Sequence, residues 1–291
     1  MKISFFSLLI FLNLTLYAKP TVVVSILPEK TFVQKIAKDM VEITVMVEPG
    51  GSPHSYEPKS SQMIALSKAD IYFSIGVEFE NAWLARFKSQ NEKLKFIDIS
   101  SGVVKLSMSE HHHHEDENEA EADEDEHEHH TQFDPHTWTT PKNVSIMAEN
   151  IYKALSELDP QNRAFYKSNF EDFLKEIHTT DMQIKEALKE LEPKSKFMVF
   201  HPSWGYFARE YDLVQIAVEV GGKTPKPKEM IMIIKEAKEE NVKVIFTQPE
   251  FSDKSAQIIA KEANVGVHKI SPLNPQWSQN LINMAKAIAN N

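Results

Sequence analysis

The 291-residue chain contains no cysteine. That absence excludes a disulfide framework, removes thiolate from the set of metal ligands, and leaves no residue near the start that could carry a lipid. The chain also lacks an apolar run of membrane-spanning length. Its longest, residues 3–16, is broken by Ser4, Ser7, Asn13 and Thr15 and is too short for a stable span. With Lys2 before it and Ala18 after it, residues 1–18 are expected to be a secretory signal peptide cleaved before Lys19. A soluble exported protein, periplasmic, follows. Positive charge is missing from one place: residues 110–130 hold eleven Asp or Glu and no Lys or Arg. Without that segment, 31 acids face 32 bases, so the formal net charge of −10 belongs to a single stretch. No basic stripe is left to suggest nucleic acid as a partner.

What fills the segment is histidine. Seven of the twelve histidines lie there, at 111–114, 127, 129 and 130, and His136 follows in Asp134-Pro135-His136-Thr137-Trp138. Imidazoles mixed with carboxylates are ligands for divalent transition metals, zinc above all. So polar a stretch cannot bury enough surface to order itself and is expected to be disordered, or ordered only by metal. A plain acidic spacer is the alternative, though a spacer has no need of seven imidazoles.

From residue 21 the pattern is repetitive. Short β-rich runs at 21–26, 43–47, 71–75 and 95–99 alternate with helix-like stretches such as 29–38 and 60–69. Strands separated by single helices imply a parallel sheet. Residues 141–158 read as an amphipathic helix opened by Pro141 and stopped by Asp159-Pro160. Residues 160–191 then carry apolar residues at helical spacing, with no glycine and no internal proline. A helix of some 30 residues would span roughly 45 Å and act as a stiff strut, with a helical hairpin as the rival reading. Four more strand candidates follow at 197–200, 213–219, 243–248 and 265–270. The expected fold is therefore α/β, with two similar lobes, each a mostly parallel four-stranded βα sheet, joined by one long rigid helix. The lobes would run 19–159 and 193–291, with 160–192 between them.

His54 lies just past the second strand and His201 ends the first strand of the second block, both at carboxyl ends of strands, where open parallel sheets bind ligands. His178 on the strut and His268 near the last strand are expected to be ordinary surface or core residues.

These segments resemble the zinc- and manganese-binding solute-binding proteins of ABC importers, most closely the zinc-specific branch with a His- and acid-rich loop. The resemblance runs from about residue 22 to 288. It rests on Gly51-Ser52-Pro53-His54-Ser55-Tyr56-Glu57-Pro58, Asp134-Pro135-His136-Thr137-Trp138, Asp159-Pro160, His201 to Phe207, and Val220-Gly221-Gly222-Lys223-Thr224-Pro225. It implies that His54, His136 and His201 are the metal ligands and that the long helix joins the lobes. Manganese-binding relatives usually place an Asp before a Pro-Leu pair near the C-terminus, where this chain has Ser271 before Pro272-Leu273. Three imidazoles with a fourth position open to water, a tract residue or Glu250 suit tetrahedral zinc better than manganese. Gly51 is expected to let the His54 loop turn tightly.

The implied function is high-affinity periplasmic capture of Zn2+ by a monomer and its delivery to a membrane permease with a cytoplasmic ATPase, without catalysis. The alternatives are a manganese- or iron-binding protein of the same fold, a metal buffer, and a three-histidine zinc enzyme. Against the enzyme stand the missing His-Glu-x-x-His helix and the lack of an obvious general base.

Overall fold

The computed structural model describes residues 19–107, 133–220, 223–242 and 244–290. The expected signal peptide (1–18) and the histidine- and acid-rich tract (110–130) lie outside them. The first lobe is built from β1 (Thr21–Val24), α1 (Leu27–Ala37), β2 (Glu42–Val45), α2 (Ser60–Leu66), β3 (Ile71–Ser74), α3 (Glu78–Gln90) and β4 (Lys95–Asp98). Helices α4 (Pro141–Leu158) and α5 (Arg163–Leu188) follow. The second lobe runs β5 (Lys196–Val199), α6 (Gly205–Glu210), β6 (Val214–Ala217), α7 (Pro227–Glu239), β7 (Val244–Thr247), α8 (Lys254–Ala263), β8 (Gly266–Lys269) and α9 (Trp277–Ala289).

Both sheets are parallel and share one topology: β2-β1-β3-β4 in the first lobe and β6-β5-β7-β8 in the second. Val22 pairs with Ile43 on one side and Ile71 on the other, and Met198 of β5 pairs with Ile216 and Ile245. The central strands read as unbroken apolar runs because helices cover both faces, and Val22, Val23 and Val24 are fully buried. The order reverses beside β1 and again beside β5, so each lobe has a switch point at the carboxyl ends of its strands.

Helix α4 begins where Thr140 accepts a hydrogen bond from the Asn143 N–H, with Pro141 in the first turn. After a 3-10 turn at Pro160–Asn162, α5 continues for 26 residues, about 39 Å, as one helix and not a hairpin. Tyr166, Phe173, Ile177, Ile184 and Leu188 form its buried face, while Phe165 turns outward. The C-terminal helix α9 packs along α5 and reaches the first lobe, where Trp277 meets the ring of Phe32 edge-on at 5.5 Å. One apolar core thus runs from the first sheet through α5 and α9 to Phe197, Val199, Val244 and Phe246 on the near face of the second sheet. A separate cluster around Ile233, Ile245 and Ile259 fills the far face. An interface this apolar opposes independent movement of the lobes. Among the described residues, no helix is long and apolar enough to cross a membrane.

Candidate metal centre

Three chain segments meet between the carboxyl ends of the two sheets. The loop after β2 brings in His54. Its turn depends on Gly50, which has φ +83°, whereas Gly51 has an ordinary φ and serves close packing: a Cβ there would lie 3.1 Å from the Glu48 carbonyl oxygen. The tight turn expected at Gly51 is thus made one residue earlier. The segment before α4 supplies His136, at the start of a short 3-10 turn, Thr137–Thr139. His201 lies two residues past the end of β5 and is fixed by Gln248, whose Nε2 donates to the His201 carbonyl at 2.8 Å and to Ser203 Oγ at 3.0 Å. Phe251 stacks on the His201 ring, with centroids 5.0 Å apart.

The three imidazoles converge. Ring centroids are 4.5 Å apart for His54 and His201, 5.2 Å for His136 and His201, and 5.7 Å for His54 and His136. One ligand nitrogen from each lies within 4.8 Å of the others. His136 and His201 are buried, while His54 is partly exposed. His178 and His268 lie on the surface, away from this cluster.

Each ring is held from behind by a carboxylate. His54 Nδ1 lies 2.9 Å from Glu78 Oε1, His136 Nδ1 2.8 Å from Asp134 Oδ1, and His201 Nδ1 2.8 Å from Glu219 Oε1. An ionised carboxylate can only accept, so each pairing puts the imidazole proton on Nδ1 and leaves Nε2 with a free lone pair. The buried Nε2 of His201 has no hydrogen-bond partner, the state of a donor atom turned toward a ligand. Burial holds His201 below the ordinary histidine range, and the neighbouring His136 and His54 act in the same direction, against the opposing pull of Glu219. For Glu78, burial pushes upward but is outweighed by the His54 hydrogen bond and charge, leaving it below the usual carboxylate range. Neutral imidazoles in front and anionic carboxylates behind form a donor set suited to a divalent cation.

None of these three carboxylate roles was expected from the sequence. Asp134 had a local signal, two residues before His136 in the same motif. Glu78 and Glu219 follow β3 and β6, so the rule about carboxyl ends of strands that singled out His54 and His201 applies to them equally.

The segments also join the lobes. Trp138 Nε1 donates to the Pro272 carbonyl, and Trp277 Nε1 to the Trp138 carbonyl, both at 2.8 Å. Tyr206 Oη donates to the Asp134 carbonyl at 2.8 Å and accepts from the Leu106 N–H at 3.1 Å.

Residues 22–291 match the ZnuA family, zinc-uptake complex component A periplasmic. The fold is similar to solved structures of ZnuA. One has a TM-score of 0.83 and 40% identity over 94% of this chain and 99% of that one. A zinc-bound ZnuA deletion mutant gives 0.82 and 39%, over 94% and 98%. Among curated relatives, the high-affinity zinc uptake system protein ZnuA of Bacillus subtilis is 28% identical, covering 87% of this chain and 78% of its own length. Zinc-binding protein AdcA of Streptococcus pyogenes is 26% identical over 88% of this chain, which spans only about 50% of the AdcA length.

Proposed function

Since the chain belongs to the family of periplasmic zinc-uptake component A proteins, we propose that it captures Zn2+ between its lobes and delivers the ion to a membrane permease driven by a cytoplasmic ATPase. The observation that carries this reading is the convergence of His54, His136 and His201, each with a carboxylate behind its Nδ1. Those three residues are the proposed ligands, all through Nε2. Three nitrogen donors favour zinc over manganese, which prefers oxygen, and the relatives AdcA and ZnuA are described as zinc-binding and zinc-uptake proteins.

In the proposed cycle, residues 1–18 direct export and are removed, and the remaining chain works as a monomer with lobes 19–159 and 193–291 about the 160–192 link. No covalent bond is made or broken. The ion exchanges its waters for imidazole nitrogens, and the shared core keeps the lobes nearly fixed while His54, on the most exposed of the three segments, adjusts to occupancy.

Zinc competition titrations test the ligand set. His54→Ala, His136→Ala and His201→Ala should each weaken the tight equivalent by orders of magnitude, since each removes one of very few bonds to the ion. His178→Ala and His268→Ala should match the parent. Five variants that all bind like the parent would sink the proposed site.

A further inference from the structure

Three imidazoles bring no anionic donor into direct contact with a bound zinc ion, and they fill only three positions of its usual four. Between two lobes and largely out of water, an anionic ligand in contact would stabilise the ion further. Glu78, Asp134 and Glu219 each face an Nδ1 on the far side of a ring, so none can also reach the ion without releasing its histidine. The pocket formed by the three rings has another carboxylate on its wall, Glu250.

Glu250 also lines the open groove that runs between the lobes beside the pocket. The groove's other charged side chains are already paired, Glu48 with Lys59 at 2.6 Å and Lys269 with Asp253 at 3.5 Å. Glu250 has no cationic partner among the described residues. Its one hydrogen bond comes from Ser271 Oγ to Oε1 at 2.8 Å, which leaves Oε2 unengaged. Ser271 is itself fixed, because its Oγ accepts from the Leu273 N–H at 3.0 Å and its carbonyl accepts from Asn280 Nδ2 at 2.9 Å. Two residues close to Glu250 in the chain are also committed to the site: Gln248 clamps the His201 backbone and Phe251 packs on its ring. A half-buried carboxylate is therefore held on a rigid hydroxyl at the junction of groove and pocket, with one oxygen to spare.

We propose that Glu250 meets the ion as it enters from the groove and closes the coordination shell as the fourth, oxygen ligand, with Ser271 as the latch that positions it. The proposal rests on the three-histidine site described above. Glu250 lies outside the group whose ligand atoms are already within 4.8 Å of one another, so it must swing inward about its side-chain torsions on loading. It puts an anionic donor in direct contact with the ion, and its position where groove meets pocket slows release.

The test is the rate at which zinc leaves the full-length protein into an excess of chelator at neutral pH. Glu250→Gln should still bind one tight zinc but release it about tenfold faster or more, as expected when a charged oxygen donor is exchanged for a weak neutral one. Adding Ser271→Asp to that variant returns a carboxylate to the same wall and should slow release again. Release at the parent rate from Glu250→Gln would overturn the proposal, and so would fast release that Ser271→Asp does not slow, because that pattern marks a packing role. His201→Ala in the same assay separates the two ideas. If it keeps the tight equivalent, the three-histidine site fails; if it loses the ion while Glu250→Gln behaves like the parent, only the role of Glu250 fails.

Discussion

Gly205 and Asp134 stand so close that a methyl group on the glycine would lie 2.7 Å from Asp134 Oδ2. The glycine begins α6 of the second lobe, and the aspartate holds His136 of the first, through both its ring and its backbone N–H. Asp134 is buried and cannot retreat without moving the histidine. Gly205→Ala should therefore leave the fold intact and weaken zinc binding by about 10–100-fold, the usual cost of disturbing a group that orients a ligand. Competition titration against a zinc chelator, with thermal melting as the control, measures both.

The buried pair His201 and Glu219 sets a second expectation. Glu219→Gln keeps the shape but replaces a pure acceptor with a group that can turn its NH2 toward the ring, so the Nδ1–H tautomer is no longer enforced. Zinc affinity should fall by about 10–100-fold. Glu78→Gln should cost less, because Glu78 and His54 are both partly open to water. Equal losses in the two variants would contradict this ordering by burial.

Deleting residues 110–130 should leave the tight zinc equivalent and the stability of the metal-free protein nearly unchanged. The chain on either side is already joined by the Ser107–Phe133 bridge and the hydrogen bond from the Asp134 N–H to the Leu106 carbonyl at 2.8 Å. Weaker equivalents, held by seven histidines and eleven acids, should disappear. Loading at scarce zinc should slow as the local pool and the negative field are lost. Calorimetry that finds the tight equivalent gone as well would make the tract the source of a primary ligand.

The first lobe also contains a buried acid pair apart from the metal centre. Glu80 accepts hydrogen bonds from the Ile75 and Gly76 N–H groups and contacts Ser25 Oγ, which also meets Tyr72 Oη at 2.7 Å. Burial pushes Glu80 up to about 7 despite those bonds, and burial with the nearby Glu80 raises Glu29 well above the carboxylate range. Because the folded-state pKa of Glu80 exceeds the unfolded one, the stability this group contributes is fully present below the ordinary carboxylate range and is lost as pH rises toward and through about 7. From pH 5.5 to 8.5 the linkage costs the parent about 2 kcal/mol. Glu80→Gln cannot titrate, so its stability relative to the parent should improve by about that amount over the same interval, whatever its cost at pH 5.5. Denaturant unfolding of the metal-free proteins at the two pH values provides the comparison.

Alternation and punctuation carried most of the fold. Val22–Val24 and Val244–Thr247 are apolar enough to mark buried parallel strands, and Pro141 with Asp159-Pro160 brackets α4 at both of its ends. The strut is legible because 160–191 has no helix breaker inside it, although α5 itself is shorter than that span. His54 and His201 were marked by their places at strand ends and the full set with His136 by motif resemblance, and folding brings the three together. Their carboxylate partners were harder to see because two of the pairs, His54–Glu78 and His201–Glu219, join residues from different segments of the chain, and acids are common in a chain holding 42 of them. Only a three-dimensional path places Glu219 behind His201 and not in solvent. The crossing of α9 to the first lobe left no local signal either, since its apolar face could have packed on either sheet.

That crossing bears on how the protein is made. Phe32, in the first helix, has Trp277 of the last helix as an edge-on neighbour, and Thr31 Oγ1 donates to the Pro275 carbonyl at 2.8 Å. The first lobe therefore cannot seal its core until residues 275–277 have joined it. Contacts of such long sequence separation slow folding, because the entropy of closing the loop is spent before the contact forms. Under the proposed role of residues 1–18 in export, a chain threaded across a membrane before folding would gain from this arrangement: its first lobe stays incomplete, and so easier to keep extended, until α9 arrives.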